Sequence, residues 1–380
     1  MGRKIGKSLG IVLGIIILLI VFILLVGRGP FVDIPADAQI GREYPAPDED
    51  EVVRRTTELV LNSIKERYAD ADRMLRDAHP YSHGCVHGTY TVNADIPTDL
   101  KHGIFAEAAS YPVWIRFSNG SVTPKPDIEG DIRGMAVKLM EVPGAKIQDD
   151  ESGTQDFLLI SNPVLPVGDP GEYLALFEAA LAQKPMSYFF GGAPWNWKLS
   201  AFKRVLDIRT KKIPGMLWIR YWSTVPFKLG DGAVKYSARP CDQEAATAAT
   251  VPEDPSEHYL REGLASHLNT QSACFEFMIQ KQTDPVAMPL EDPAVEWDED
   301  QSPFVPVARI EIPAQNFDTP AQNEFCENLA MNPWHALPAH RPLGGINRVR
   351  RVAYDTIARY RMEQNGVRHT EPTGNERFGE

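Results

Sequence analysis

Cysteine is scarce in this chain, with four residues among 380, at positions 85, 241, 274 and 326. They are too few and too scattered for a disulfide scaffold, and their spacing leaves any pairing open. No CxxC pair is present to hold zinc or an iron–sulfur cluster. Basic charge is in deficit too. Against 51 Asp and Glu stand 39 Lys and Arg, a net charge of −12 that speaks against nucleic acid as a partner. Internal repeats are lacking, and so are low-complexity tracts beyond a single apolar run. What is present is apolar content enough for a core, over a length that suits one large domain or two ordinary ones.

The apolar run covers residues 8–27 and carries no charge. About 20 residues rising ~1.5 Å each reach roughly 30 Å, the hydrocarbon thickness of a bilayer. Arg3, Lys4 and Lys7 precede it, so the expectation is a single transmembrane helix with its N-terminus cytoplasmic and the remainder on the far side. A cleaved signal peptide is the competing reading, but the run exceeds an ordinary h-region and no Ala-x-Ala site follows closely. Met1-Gly2 invites a myristoylation reading, yet Gly6 stands where Ser or Thr is wanted.

Residues 29–49, rich in Pro, Asp and Ala, read as an extended tether. Asp48 followed by Glu51 is a capping signal. The helix it opens is expected to run through Val53, Val60, Ile64, Ala71 and Leu75 and to end near Asp77, before Pro80. Short alternating runs follow at 89–94, 113–118, 134–140, 156–161, 233–238, 273–280 and 305–312. Seven or eight strands without regularly interleaved helices predict an α+β fold, an antiparallel sheet curled into a barrel. Helical insertions are expected at 172–181 and 196–210, a solvated loop at 241–258, and a frayed tail over the last dozen residues.

Near the C-terminus, residues 346–361 contain no Gly or Pro and read as a helix, opened by Gly344-Gly345 and stopped by Asn365-Gly366. Ile346, Val349, Ala353, Ile357 and Tyr360 give it an apolar face. Beside that face Arg350, Tyr354 and Arg361 form a second stripe, within about 40° of one another on the cylinder. A phenol loses its proton near pH ~10 in water, and a guanidinium one turn away favours the phenolate. Tyr354 therefore reads either as a half-buried helix tyrosine among exposed arginines or as an axial ligand to haem iron.

Further upstream, Arg76-x-x-His79 sits where the first helix breaks and the sheet begins. His83 and His87 follow at spacings of four, but Pro80 and Gly84 argue against one helix carrying all three, so these two read as surface or structural residues. In order along the chain then come Trp114-Ile115-Arg116-Phe117-Ser118, Asp131-Ile132-Arg133-Gly134-Met135-Ala136-Val137-Lys138, Gln155-Asp156-Phe157, Asn162-Pro163-Val164 and Arg350-x-x-x-Tyr354 with Arg361. This succession, spanning roughly residues 50–365, resembles the haem catalases, and more closely the short catalase-like haem-binding proteins that keep little beyond the barrel.

The resemblance implies haem b as cofactor, with Tyr354 as the iron ligand and Arg350 as its charge partner. Arg76, Arg116 and Arg361 would hold the propionates, and Phe117 would belong to the cofactor pocket. His79 would be the distal base, oriented by the Ser118 hydroxyl, with Asn162 as the third catalytic residue. Arg133 and Lys138 read as structural, a strand start closed by an ion pair. Three departures stand out. Pro80-Tyr81-Ser82-His83-Gly84-Cys85 replaces a Gly/Ala-rich run, Ile160 occupies the place of the distal asparagine with Asn162 offset by two, and Leu165-Pro166 replaces a channel-lining aromatic pair. A wider or less polar pocket follows, suited to organic hydroperoxides at least as well as to hydrogen peroxide.

The organisation expected is thus an N-terminal membrane anchor (1–28), a tether (29–49), a catalase-like haem domain (50–365) and a flexible tail (366–380). Its implied setting is the outer face of a bacterial inner membrane, with the haem domain periplasmic or extracellular, a peroxide as substrate and the lipid bilayer as partner through residues 8–27. The expected activity is that of a haem peroxidase or catalase. Two alternatives are carried beside it: a fatty-acid hydroperoxide isomerase or dehydratase, and a haem- or lipid-binding barrel without turnover.

Overall fold

The computed structural model describes Gly14, Leu18 and residues 34–148 and 153–378. Nine strands lie among the described residues: β1 Ser82–Val92, β2 Ser110–Asn119, β3 Arg133–Leu139, β4 Gln155–Ile160, β5 Tyr221–Trp222, β6 Phe227–Leu229, β7 Gly232–Pro240, β8 Ala273–Lys281 and β9 Val305–Ile312. Their order is β5-β4-β3-β2-β1-β9-β8-β7-β6, and β5 also pairs with β7. That extra pairing closes eight antiparallel strands into a barrel and leaves β6 attached to β7. The seven expected strands are all present, and two short ones join them.

Alternation decides what faces where. Along β2, Val113, Ile115 and Phe117 belong to the barrel core, so Arg116 and Ser118 point outward. Inside, Tyr90, Phe157, Tyr236 and Phe277 meet ring to ring at centroid separations of 4.9–6.4 Å. Each such ring withdraws enough apolar surface to stabilise the fold by about 1.5–3 kcal/mol. The interior is thus filled by side chains, and Arg116 and Ser118 lie outside it.

Among residues 34–148 and 153–378 eight helices surround the sheet: α1 Glu49–Arg67, α2 Pro170–Leu181, α3 Pro185–Phe190, α4 Leu199–Thr210, α5 Gln243–Ala248, α6 Tyr259–Leu268, α7 Pro320–Asn328 and α8 Gly345–Gln364. Gly344, at φ +83°, sets the turn into α8, and a Cβ there would lie 2.2 Å from the Leu290 carbonyl oxygen, so only glycine fits. At the other end Asn365 caps α8, and its amide exchanges two 2.9 Å hydrogen bonds with the backbone of Met74.

That clamp bears on the first correction. The helix expected to reach Asp77 ends at Arg67, and Asp48 makes no side-chain cap. From Tyr68 the chain leaves the helix, pinned by Asn365 at Met74 and by Arg67 against Asp77 at 3.4 Å. Tertiary contacts override local periodicity here, and they deliver Arg76 and His79 to the outer face of β2.

The second correction concerns the membrane. The transmembrane helix expected over 8–27, and with it single-pass placement in a bacterial inner membrane, does not stand. Among the described residues no helix is long and apolar enough to cross a bilayer. The longest ones, α1 and α8, carry nine and seven charged residues, far more than hydrocarbon accepts. Of residues 8–27 only Gly14 and Leu18 are described, both helical, and the rest lie outside the described residues.

Other expectations are altered in detail. In the stretch read as a tether, Glu43 pairs with Arg341 at 2.7 Å and with Arg348 at 2.5 Å. The loop at 241–258 begins with α5, and Cys241 forms a disulfide with Cys274. In the stretch read as a tail, Glu371 pairs with Lys138 at 2.7 Å and Glu376 accepts a 3.1 Å bond from the Trp114 indole.

Candidate active site

The centre of the site is a residue in an unfavourable backbone state. His79 has φ +57°, a left-handed conformation that costs a non-glycine residue roughly 1–3 kcal/mol. Arg116 holds it there, donating from Nη1 to the His79 carbonyl at 2.9 Å and from Nη2 to the Pro80 carbonyl at 3.3 Å. One residue pair along β2, the Ser118 hydroxyl lies 3.1 Å from Nδ1 of His79. Gly134, paired with Ser118 across β2 and β3, gives the ring its floor. A Cβ there would sit 2.7 Å from Nδ1 and 2.8 Å from the Ser118 oxygen.

Burial, reinforced by Arg116, pushes His79 down to about 4, against the opposing pull of Asp131. The imidazole is therefore neutral near pH 7. If Nδ1–H donates to Ser118, Nε2 is left with a lone pair, the form a general base needs.

His79 lines a cavity of about 1080 Å³, bounded by the outer faces of β2, β3 and β4 on one side and by α8 on the other. From α8 come Val349, Arg350, Ala353, Tyr354, Ile357 and Arg361. Arg350 lies with its guanidinium carbon 6.0 Å from the Tyr354 ring centre, and its Nη1 is 3.4 Å from the Asn347 side-chain oxygen. The imidazole and the phenol thus share one chamber, although 275 positions separate them in the chain.

At the rim three guanidiniums converge on one carboxylate. Glu327 stands 3.0 Å from Arg76, 3.1 Å from Arg361 and 4.0 Å from Arg116. Arg76 also donates to the carbonyls of Cys326 and Leu329, and Arg361 to that of Glu327 at 2.8 Å. Burial, then the neighbouring Arg76, pushes Arg361 down to about 10. Nε of Arg116 is buried without a hydrogen-bond partner among the described residues.

Not every expected residue reaches this chamber. Phe117 faces the barrel core against Tyr221 and Phe275, on the opposite side of β2 from Arg116. The Asn162 amide donates to the Val164 carbonyl at 2.6 Å, and Ile160 lines the cavity instead. His83 is buried and bonded to Asn119 at 2.7 Å, in keeping with a structural reading. Arg133 is buried against Asn119 and the carbonyls of Asp127 and Glu129. Lys138 is buried between Asp156 at 2.9 Å and Glu371 at 2.7 Å.

Two features had not been foreseen. Glu327 is one, because nothing near it in the sequence marks a carboxylate that arginines from three separate segments will share. The other is His335, which lines the cavity with its Nδ1 3.3 Å from Asp156. An Asn-Pro-Trp-His run at 332–335 was the available signal.

No protein-family model and no curated protein matches the sequence. Among solved structures the fold is that of the catalases. A fungal catalase superposes with a TM-score of 0.58 at 16% identity, covering 89% of this chain and 66% of its own. Catalase A from Saccharomyces cerevisiae gives 0.58 at 17% identity, with coverage of 88% and 68%. A bacterial catalase gives 0.55 at 15% identity, with coverage of 91% and 67%. This chain therefore spans about two thirds of the length of these catalases. At such identities the likeness establishes a catalase-type barrel with its flanking helices.

Proposed function

We propose that this chain is a haem-dependent peroxidase or catalase, acting on hydrogen peroxide or organic hydroperoxides through residues 50–365. The observation that carries the reading is that His79, Tyr354, Arg76, Arg116 and Arg361 line one cavity of about 1080 Å³. The donor set suits a haem. A flat apolar macrocycle needs a chamber at the upper end of the ~300–1,000 Å³ typical of ligand sites. Its two carboxylates need cations, and three guanidiniums sharing Glu327 leave positive charge to spare. Tyr354 would be the iron ligand and Arg350 its charge partner.

When bound, haem supplies the redox chemistry that cleaves the peroxide O–O bond. This chain's part is the proton. Neutral His79 would take it from one peroxide oxygen and return it to the other, which would leave as water or an alcohol. Ser118 keeps the ring aimed, and the Arg116 clamp on its backbone removes the need to reorganise. Ile160 and Leu165 on the cavity wall, with no amide from Asn162, favour a substrate that has an apolar part. The same observation supports the second reading, a fatty-acid hydroperoxide isomerase or dehydratase.

A visible spectrum of the purified chain titrated with haem is the test. A Soret band is expected for the wild type and its loss or displacement for Tyr354→Phe, whereas an unchanged spectrum in the variant removes Tyr354 as ligand. His79→Ala is expected to retain haem and to slow peroxide cleavage by ~10²–10⁴. Equal rates would remove His79 as the base. Products from a fatty-acid hydroperoxide, with and without a reductant, separate peroxidase from isomerase.

A further inference from the structure

One surface stretch contradicts the electrostatic character of the rest. The chain as a whole carries −12, yet residues 184–212 hold seven Lys and Arg against a single Asp. With α2, whose two carboxylates Glu172 and Glu178 pair with Lys198 and Arg55, this stretch forms an insert of α2, α3 and α4 where large apolar side chains come to the surface. Of the eight exposed ones among the described residues, four belong here: Leu181, Met186, Trp195 and Leu206. Trp195 is the most exposed of all, at 79%. It sits in a short turn, Pro194–Asn196, next to a glycine pair at 191–192. Met186 lies in the first turn of α3. Lys184, Arg209 and Lys212 are exposed and meet no carboxylate among the described residues.

We propose that residues 181–212 dock on the surface of an anionic lipid bilayer, with Trp195 and Met186 entering the headgroup layer and the surrounding cations meeting the phosphates. An indole with an apolar body and a polar N–H is at its most stable at that depth. Exposed apolar side chains interleaved with Lys and Arg are the pattern of an interfacial segment. A protein groove would ask for contiguous apolar surface instead.

The inner side of this insert reaches the chamber. Tyr188 and Phe189 pack against Leu165 and Tyr173, and Leu165 and Tyr173 also line the cavity. Docking would place one wall of the cavity on the membrane. The substrate class that follows is a hydroperoxide carried on a lipid acyl chain, a clause that rests on the peroxide reading above. The docking itself does not.

The experiment uses the full chain with phosphatidylcholine vesicles, with or without phosphatidylglycerol, whose acyl chains carry bromine to quench tryptophan. The chain has seven tryptophans, so the contribution of Trp195 is the difference between wild type and Trp195→Phe, all variants sharing residues 1–33. We expect that contribution to be quenched on anionic vesicles, to escape quenching on phosphatidylcholine alone, and to recover in high salt. Lys184→Glu/Arg209→Glu/Lys212→Glu, checked for an unchanged circular dichroism spectrum, is expected to lose the quenching several-fold. Trp195 unquenched on anionic vesicles overturns the proposal, as does quenching that the triple variant leaves intact. A Trp195-dependent dimer seen by sedimentation would assign the face to a second copy and overturn it too. None of these readouts requires haem, so they fail or succeed apart from the Soret titration.

Discussion

Two buried ion clusters flank α8, and they are built in opposite proportions. On one side Arg348 is met by Glu43 at 2.5 Å, by Glu291 at 2.7 Å and by Glu49, with Arg341 also on Glu43. On the other, Arg76, Arg116 and Arg361 share Glu327. In the first, burial pulls Arg348 down, but its hydrogen bonds to Glu49 and Glu291 prevail and hold it well above the ordinary arginine value. In the second, burial and the neighbouring cations together push Arg361 down to about 10. A cluster that over-neutralises its arginine is a staple, here fixing residues 43–49 to α8. The other leaves three arginines with one carboxylate between them at the edge of a cavity, so positive charge there is not balanced.

That contrast is open to a direct break. Glu327→Ala strands the buried Arg116 and Arg361 and the half-buried Arg76 without a counter-ion, and an uncompensated buried charge costs about 3–5 kcal/mol. Glu49→Ala leaves Arg348 with two carboxylates and no uncompensated charge, so the loss is expected to be smaller, about 1–2 kcal/mol for the hydrogen bonds removed. Urea unfolding of the two variants measures both. Added haem is expected to narrow the deficit of Glu327→Ala and to leave that of Glu49→Ala unchanged, since only the first site would gain propionates. Equal losses, or no response to haem, would make both clusters mere staples.

The barrel was readable because its signal is local: alternation over five or more residues, as in Val113–Ser118, needs no knowledge of the partner strand. Tyr221–Trp222 and Phe227–Leu229 are too short to display a period, and only closure of the sheet makes them strands. Helix α8 announced itself by glycines at its start and Asn-Gly at its end. Residue type and order grouped His79, Ser118 and Tyr354, and all three line one cavity, whereas the work done by Arg116 was not legible. Its partners are backbone carbonyls presented by a left-handed kink at His79, and no side-chain pattern encodes a kink. Glu327 lies 34 residues from Arg361, 211 from Arg116 and 251 from Arg76, so convergence is a property of topology alone.

Acid provides a second comparison between the clusters, smaller in size. His79 lies beside the cation-rich one and is held at about 4 by burial and by Arg116. In the unfolded chain its imidazole returns to ~6.5. Between those values the unfolded state binds the extra proton, so stability rises with pH through this window and is fully present above pH ~6.5. His79 is only partly buried, so the contribution lost on acidification is at most about 3 kcal/mol. Buried His83, at about 4, and His340, at about 3, act with the same sign. The measurement is therefore the difference between wild type and His79→Gln, followed from pH 7 to pH 4. A difference that is flat, or that grows toward acid, refutes the neutral imidazole.

Arg116→Lys separates charge from geometry in the same cluster. A lysine keeps the positive charge beside His79, so the imidazole should still titrate well below its ordinary value. It cannot, however, reach both the His79 and Pro80 carbonyls in the planar fork that Arg116 uses. One charge-assisted hydrogen bond is lost and the left-handed backbone at His79 is freed to relax, for a cost of about 1–2 kcal/mol. Stability by urea unfolding, read together with the His79 titration by NMR, distinguishes the outcomes. A lower stability with an unmoved titration assigns Arg116 to holding the backbone. A titration that shifts upward by a unit with stability intact would mean that the field of its guanidinium, more than its grip, is what the site needs.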